Sequence, residues 1–127
     1  MPFIVSTLIG VGFVLTSSLA MASTLDGKTF VGSLLDGKKV IDKNENLVFK
    51  GGTFRSSACD KYQFKEASYK ATESGGKVAF EAEAANDKGE KMSWKGTVVG
   101  TQAEATGVWK KAGQVSGTYT FKGKQMP

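Results

Sequence analysis

Side chains able to do chemistry are few in this sequence, and the most distinctive group lies in one stretch, Phe54-Arg55-Ser56-Ser57-Ala58-Cys59-Asp60. It joins the only arginine, the only cysteine and a pair of hydroxyls. Two readings compete for it. In the first, Arg55 or nearby Lys61 lowers the Cys59 pKa and makes a reactive thiolate. In the second, Ser56 or Ser57 caps a short helix while Cys59 plugs one end of the fold. The chain has no histidine, so a thiol here lacks the usual proton carrier, which favours the second reading. The same absence excludes Ser-His-Asp and Cys-His nucleophilic sites, and nearly all zinc, copper and haem-iron centres of ordinary type. No catalytic residue, metal or cofactor is expected.

Two further motifs give way to structural readings. Glu81 and Glu83 stand two apart, about 6–7 Å between Cα atoms on a strand, a separation that glycoside hydrolysis can use. They alternate with Phe80 and Ala82, however, so they face solvent, where Lys91 or Lys95 on a neighbouring strand would pair with them. Gly27-Lys28-Thr29 resembles the end of a phosphate-binding loop, but Ala22 occupies the place of the required earlier glycine.

The elements that must position these residues are strands. Period-2 alternation recurs between turn signals: Asp36-Gly37, Gly51-Gly52, Glu73-Ser74-Gly75-Gly76, Asn86-Asp87-Lys88-Gly89, Gly100-Thr101-Gln102 and Ala112-Gly113-Gln114. The pattern predicts strands over 29–35, 47–50, 53–57, 67–72, 77–85, 91–99, 104–111 and 115–122, with 38–41 as a further short candidate. Residues 58–64 lack alternation and are expected to form a helical turn or short loop. Even spacing with tight turns predicts an all-β fold, an up-and-down antiparallel barrel of seven or eight strands.

Alternation also assigns faces. Val78, Phe80, Ala82 and Ala84 share the inner face with Met92, Trp94, Gly96 and Val98, and with Val115, Gly117, Tyr119 and Phe121. A two-residue turn at Gly51-Gly52 pairs Phe49 with Phe54. A turn over 100–103 pairs Trp94 with Trp109, Gly96 with Gly107 and Val98 with Ala105. The next hairpin, by parity, pairs Trp109 with Val115, Gly107 with Gly117 and Ala105 with Tyr119. These registers place Gly96, Gly107 and Gly117 side by side, a band of bare main chain beside two tryptophans. Either aromatic side chains from the opposite wall cover it, with Phe30, Phe49, Phe54, Tyr69 and Phe80 available, or it walls a pocket for a flat apolar ligand. Small barrels usually fill their own interior, which favours the first.

In this pattern the chain resembles the small meander barrels of the lipocalin–calycin and bacterial periplasmic-inhibitor kind. Gly107-Val108-Trp109 is similar to the lipocalin Gly-x-Trp, which in that family lies on the first strand, whereas here it lies near the C-terminus. Gly117-Thr118-Tyr119 is faintly similar to the avidin type. The resemblance implies a closed barrel and no particular site residue.

Residues 1–22 read as a secretory signal. Residues 3–19 carry no charge and Ala20-Met21-Ala22 fits a signal-peptidase site, although no Lys or Arg precedes the apolar run. The rival is a retained membrane anchor. A cleaved leader leaves one domain over 23–127, exported to the periplasm or beyond, with no membrane span. An exported chain with one cysteine has no internal disulfide; Cys59 is then buried, open to a mixed disulfide, or a dimer seam. All the charge, net +5, lies after residue 22, and Arg55 is the only cation that is not lysine. Nucleic acid tends to be read by arginine, so no nucleic-acid partner is expected. The reading of function is a non-enzymatic exported barrel that binds a small, largely apolar ligand between Trp94, Trp109, Tyr119 and the three glycines. The alternative is a protein-interaction or inhibitor module of the cell envelope, acting through loops and a lysine-rich face.

Overall fold

The structure, a computed structural model, describes residues 25–127; the expected secretory signal and cleavage site over 1–22 lie outside the described residues. Eight antiparallel strands follow one another round a closed ring. They are β1 (Thr29–Asp36), β2 (Lys39–Lys50), β3 (Thr53–Ser56), β4 (Ala67–Ser74), β5 (Lys77–Ala85), β6 (Lys91–Val99), β7 (Gln102–Lys111) and β8 (Gln114–Gln125). One short helix, α1 (Ser57–Asp60), interrupts the path from β3 to β4. The all-β, up-and-down barrel expected from alternation is therefore what the chain forms, with β8 closing back on β1. Among the described residues no helix is long and apolar enough to cross a membrane.

The glycine turns set most hairpins. Gly51 and Gly52 both take positive φ, 58° and 80°, as a two-residue turn between right-twisted strands requires, and Phe49 pairs with Phe54 as predicted. At the next predicted site the turn is tighter than expected. Gly100-Thr101 alone makes it, Val99 pairs with Gln102, and every pair on β6 and β7 moves by two residues. Trp94 thus faces Gly107, Gly96 faces Ala105, Val98 faces Ala103, and Met92 faces Trp109. A shift of two preserves the faces, which is why the inner residues were legible while their partners were not.

The β7–β8 hairpin shows a second correction. Its two-residue turn, Ala112-Gly113, pairs Lys111 with Gln114, a register that would put the wrong side chains inside. A bulge between Trp109 and Lys110 restores the inner set, so Trp109 faces Gly117, Gly107 faces Tyr119 and Ala105 faces Phe121. Val115 lies beyond that bulge, against Lys110, and is exposed rather than inside. The predicted break over 42–46 is also absent: β2 runs unbroken through it, with register shifts along its pairing to β1.

The core is an aromatic stack. Phe49 stands edge-on to Phe30, Tyr69 and Phe80, with centroids 6.0, 4.9 and 5.0 Å away. Phe54 continues the stack to Trp94 at 5.7 Å. Such edge-to-face contacts add to the burial of each ring. At the end where the chain enters, Leu25 is fully buried and Asp26 locks the plug. The Asp26 carboxyl accepts the Tyr69 hydroxyl at 2.6 Å and the Gly52 amide at 3.0 Å. Burial, reinforced by that carboxyl, holds the Tyr69 phenol protonated well above its ordinary range.

Candidate site at the mouth of the barrel

The three glycines do not form a row. Each sits opposite an aromatic residue, so the bare main chain is covered from neighbouring strands rather than from the far wall. A Cβ at Gly96 would lie 2.6 Å from the Phe80 ring, and one at Gly107 would lie 3.1 Å from the Trp94 ring. At Gly117 it would lie 2.6 Å from the Tyr119 hydroxyl. Large-against-small pairing lets the rings lie flat on the sheet and fills the interior. None of the three glycines is among the residues that line the cavity at the mouth of the barrel.

That cavity lies at the opposite end from the Leu25 plug, where the β1–β2, β5–β6 and β7–β8 turns and α1 come together. It measures about 60 Å³. Trp94 and Met92 form its floor with Cys59 and Leu34, while Trp109 and Tyr119 wall it from β7 and β8. Ile41, Tyr62 and Phe64 surround its opening, and Ala58 of α1 lies beside them. Three of the six predicted binding residues, Trp94, Trp109 and Tyr119, are therefore brought together here. The others, Gly96, Gly107 and Gly117, serve packing. Wider depressions on the outer wall, such as that beside Lys70, Glu81 and Lys95, are open to solvent and bounded by outward-facing polar side chains.

Two polar atoms set this cavity apart. The indole Nε1 atoms of Trp94 and Trp109 are both buried without a hydrogen-bond partner, and an unmet buried donor costs about 1–3 kcal/mol. Trp109 is held in place by ring contacts with Tyr62 at 5.1 Å and Phe64 at 6.5 Å. The Lys111 ammonium lies 4.5 Å from its ring centroid on the outer side and 3.7 Å from Glu90. The result is an apolar hollow walled by two indole rings, with a cation at its rim.

Beside the cavity lies the stretch that the sequence singled out. Ser56 is the N-cap of α1, its hydroxyl accepting the Cys59 amide at 3.4 Å, in line with the capping reading. Arg55 does not serve Cys59. Its guanidinium grips Asp60 through Nε at 3.1 Å and Nη2 at 2.7 Å, on the outside of the barrel. Burial pushes the Cys59 thiol up to about 11, with the Ser56 hydrogen bond opposing and Glu45 adding to the rise. A thiol held that high is protonated at neutral pH and is a poor nucleophile. Labelling by a disulfide reagent at pH 8 is expected to run at least about 100-fold slower than for a free cysteine, and to accelerate as pH rises toward 11. Labelling at the free-cysteine rate would contradict this placement.

The group that holds α1 in place was not among the expected site residues. Glu45 of β2 is fully buried. Its carboxyl accepts the Ser56 hydroxyl at 2.6 Å, the Ser57 hydroxyl in a very short bond, and the Ala58 amide at 2.9 Å. Ser57 in turn accepts the Asn46 amide at 2.9 Å. Glu45 was hidden in the polar run Asp42-Lys43-Asn44-Glu45-Asn46, yet it is in phase with Leu47 and Phe49. Extending their alternation backwards by one step would have placed it inside. Glu81 and Glu83 face solvent as predicted; Glu83 meets Lys91 at 3.8 Å and Glu81 pairs across the strands with Lys95.

No known protein family, curated protein or solved structure matches this chain. The similarity to small meander barrels thus rests on strand pattern, and any account of function rests on the mouth itself.

Proposed function

We propose that this chain is a non-enzymatic, exported binding barrel that takes a small, largely apolar group into its mouth cavity. The observation that carries this reading is an apolar hollow of about 60 Å³ at one end of the barrel, lined by Trp94, Trp109 and Tyr119. A small, largely apolar group seated there would remove its own surface and that of the lining rings from water. A non-catalytic role fits the chemistry nearby: Glu45 is committed to three donors, Cys59 is held protonated, and histidine is absent. Export fits the uncharged leader-like run before residue 23.

The size of the cavity sets the class of ligand. An engineered cavity of about 150 Å³ is enough to hold benzene, so this one takes a few methyl-sized groups. Lipids and porphyrins would not enter. Titration with short ketones and small esters, followed by tryptophan emission, is expected to give saturable shifts with Kd in the range of roughly 0.1–10 mM. Ala58→Leu, which grows into the opening, is expected to weaken them at least tenfold while circular dichroism stays unchanged. Emission that no compound shifts in a saturable way would end this reading.

A further inference from the structure

The geometry points to the mouth as a docking site for an acidic protein segment that inserts one aliphatic side chain into the cavity. This rests on the reading of the mouth as a binding site and names what presents the apolar group. Two observations favour a polypeptide over a free small molecule.

The first is the mismatch between the cavity and its surroundings. The hollow holds only a few methyl-sized groups, yet apolar surface continues outside it. Ile41 and Tyr62, at its opening, are 46% and 53% exposed, and Val40 and Val115 at the same end are 44% and 62% exposed. A small molecule seated inside would leave these side chains in water. A chain lying across the mouth would cover them, and a single anchoring side chain in a pocket with apolar contacts around it is how protein interfaces concentrate their affinity.

The second is charge. At this end Asp60, Asp87 and Glu90 already hold Arg55, Lys65 and Lys111, and only Asp36 and Asp42 of β1 and β2 are left there without a cation within 4.0 Å among the described residues. Lys38, Lys39, Lys61, Lys88 and Lys110 have no carboxylate within 4.0 Å among the described residues. The rim therefore presents surplus positive charge around an apolar centre, which suits acidic residues on either side of the anchor.

The test uses the full chain, expressed with its own leader and purified, and fluorescein-labelled peptides of sequence Asp-Glu-X-Glu-Asp. With X as Val or Leu, anisotropy is expected to report binding at least tenfold tighter than with X as Ala. Affinity is expected to fall about tenfold between 50 and 300 mM NaCl. Lys110→Glu, far from the core, is expected to weaken binding at least threefold without altering the fold. Binding that ignores X, or equal binding of Lys-Lys-Val-Lys-Lys, would overturn the proposal. So would binding to vesicles containing phosphatidylglycerol with no binding to the peptides, which would make the rim a membrane-facing surface. If small ketones shift the tryptophan emission but no peptide binds, this inference falls and the small-ligand reading stands. If neither binds, both fall.

Discussion

Gly32→Ala is expected to be the most damaging single-methyl change in the protein, lowering stability by about 3 kcal/mol or more. Gly32 sits at the seam where the ring closes, paired with Glu45 on β2 and with Gly123 on β8. A Cβ there would lie 1.9 Å from the Lys122 carbonyl oxygen and 2.4 Å from the Gly123 Cα. Both are main-chain atoms, so no side-chain rotation relieves the clash. β1 must move away from β8, and the ladder bonds between them, each contributing about 1 kcal/mol net, weaken together. For a domain of this length the midpoint of thermal unfolding is expected to fall by roughly 12–20 °C. Ser33→Ala, next in the same strand, is the control and should leave the midpoint within about 3 °C. A Gly32→Ala protein that melts with the parent would show that the strands do not approach this closely.

The second large effect is expected at Glu45. Glu45→Ala removes the acceptor shared by Ser56, Ser57 and the Ala58 amide in a fully buried place. The hydroxyls can turn toward other partners; the amide cannot. The expected loss is about 2–4 kcal/mol. Glu45→Gln keeps the volume and one acceptor but adds an NH₂ group among donors, so a smaller loss, about 1–3 kcal/mol, is expected. Because these bonds pin the start of α1, the change should also loosen the cover over Cys59. Denaturant unfolding measures the first effect, and thiol labelling at pH 8, faster by tenfold or more in Glu45→Ala, measures the second. Parent-like stability and labelling in Glu45→Ala would mean that α1 is held by its packing alone.

These two residues also mark where sequence reasoning stops. The barrel was legible because alternation and glycine turns act locally, and each strand declares its inner face by itself. Register is different. Parity fixes it only to a multiple of two, and at Gly100-Thr101 the chain took the tighter turn, so Trp94 met Gly107 instead of Trp109. At Ala112-Gly113 the local turn and the global face pattern disagreed, and a bulge at Trp109 resolved the conflict. The predicted glycine row vanished with those offsets, although its members do face inward. Gly32 and Gly123 escaped notice because their closeness arises only when the two ends of the described chain meet. Glu45 escaped because a polar run was read as a loop, where the strand in fact continues. Of the candidate site, the aromatic residues Trp94, Trp109 and Tyr119 were found from their face and the rest was missed, since Ile41 comes from β2, Ala58 from α1 and Tyr62 from the connection after α1.

Closure through β1 and β8 also bears on when this protein can fold. The seam pairs Phe30 with Gln125, so the ring cannot be completed on a ribosome until Gln125 has emerged. Contacts between residues so far apart in sequence carry a large loop-closure entropy and slow the search for the native state. Until β8 arrives, β1 and β7 each keep an open ladder, so the two edges that finally meet are also the ones most exposed to pairing with other chains while the sheet is incomplete.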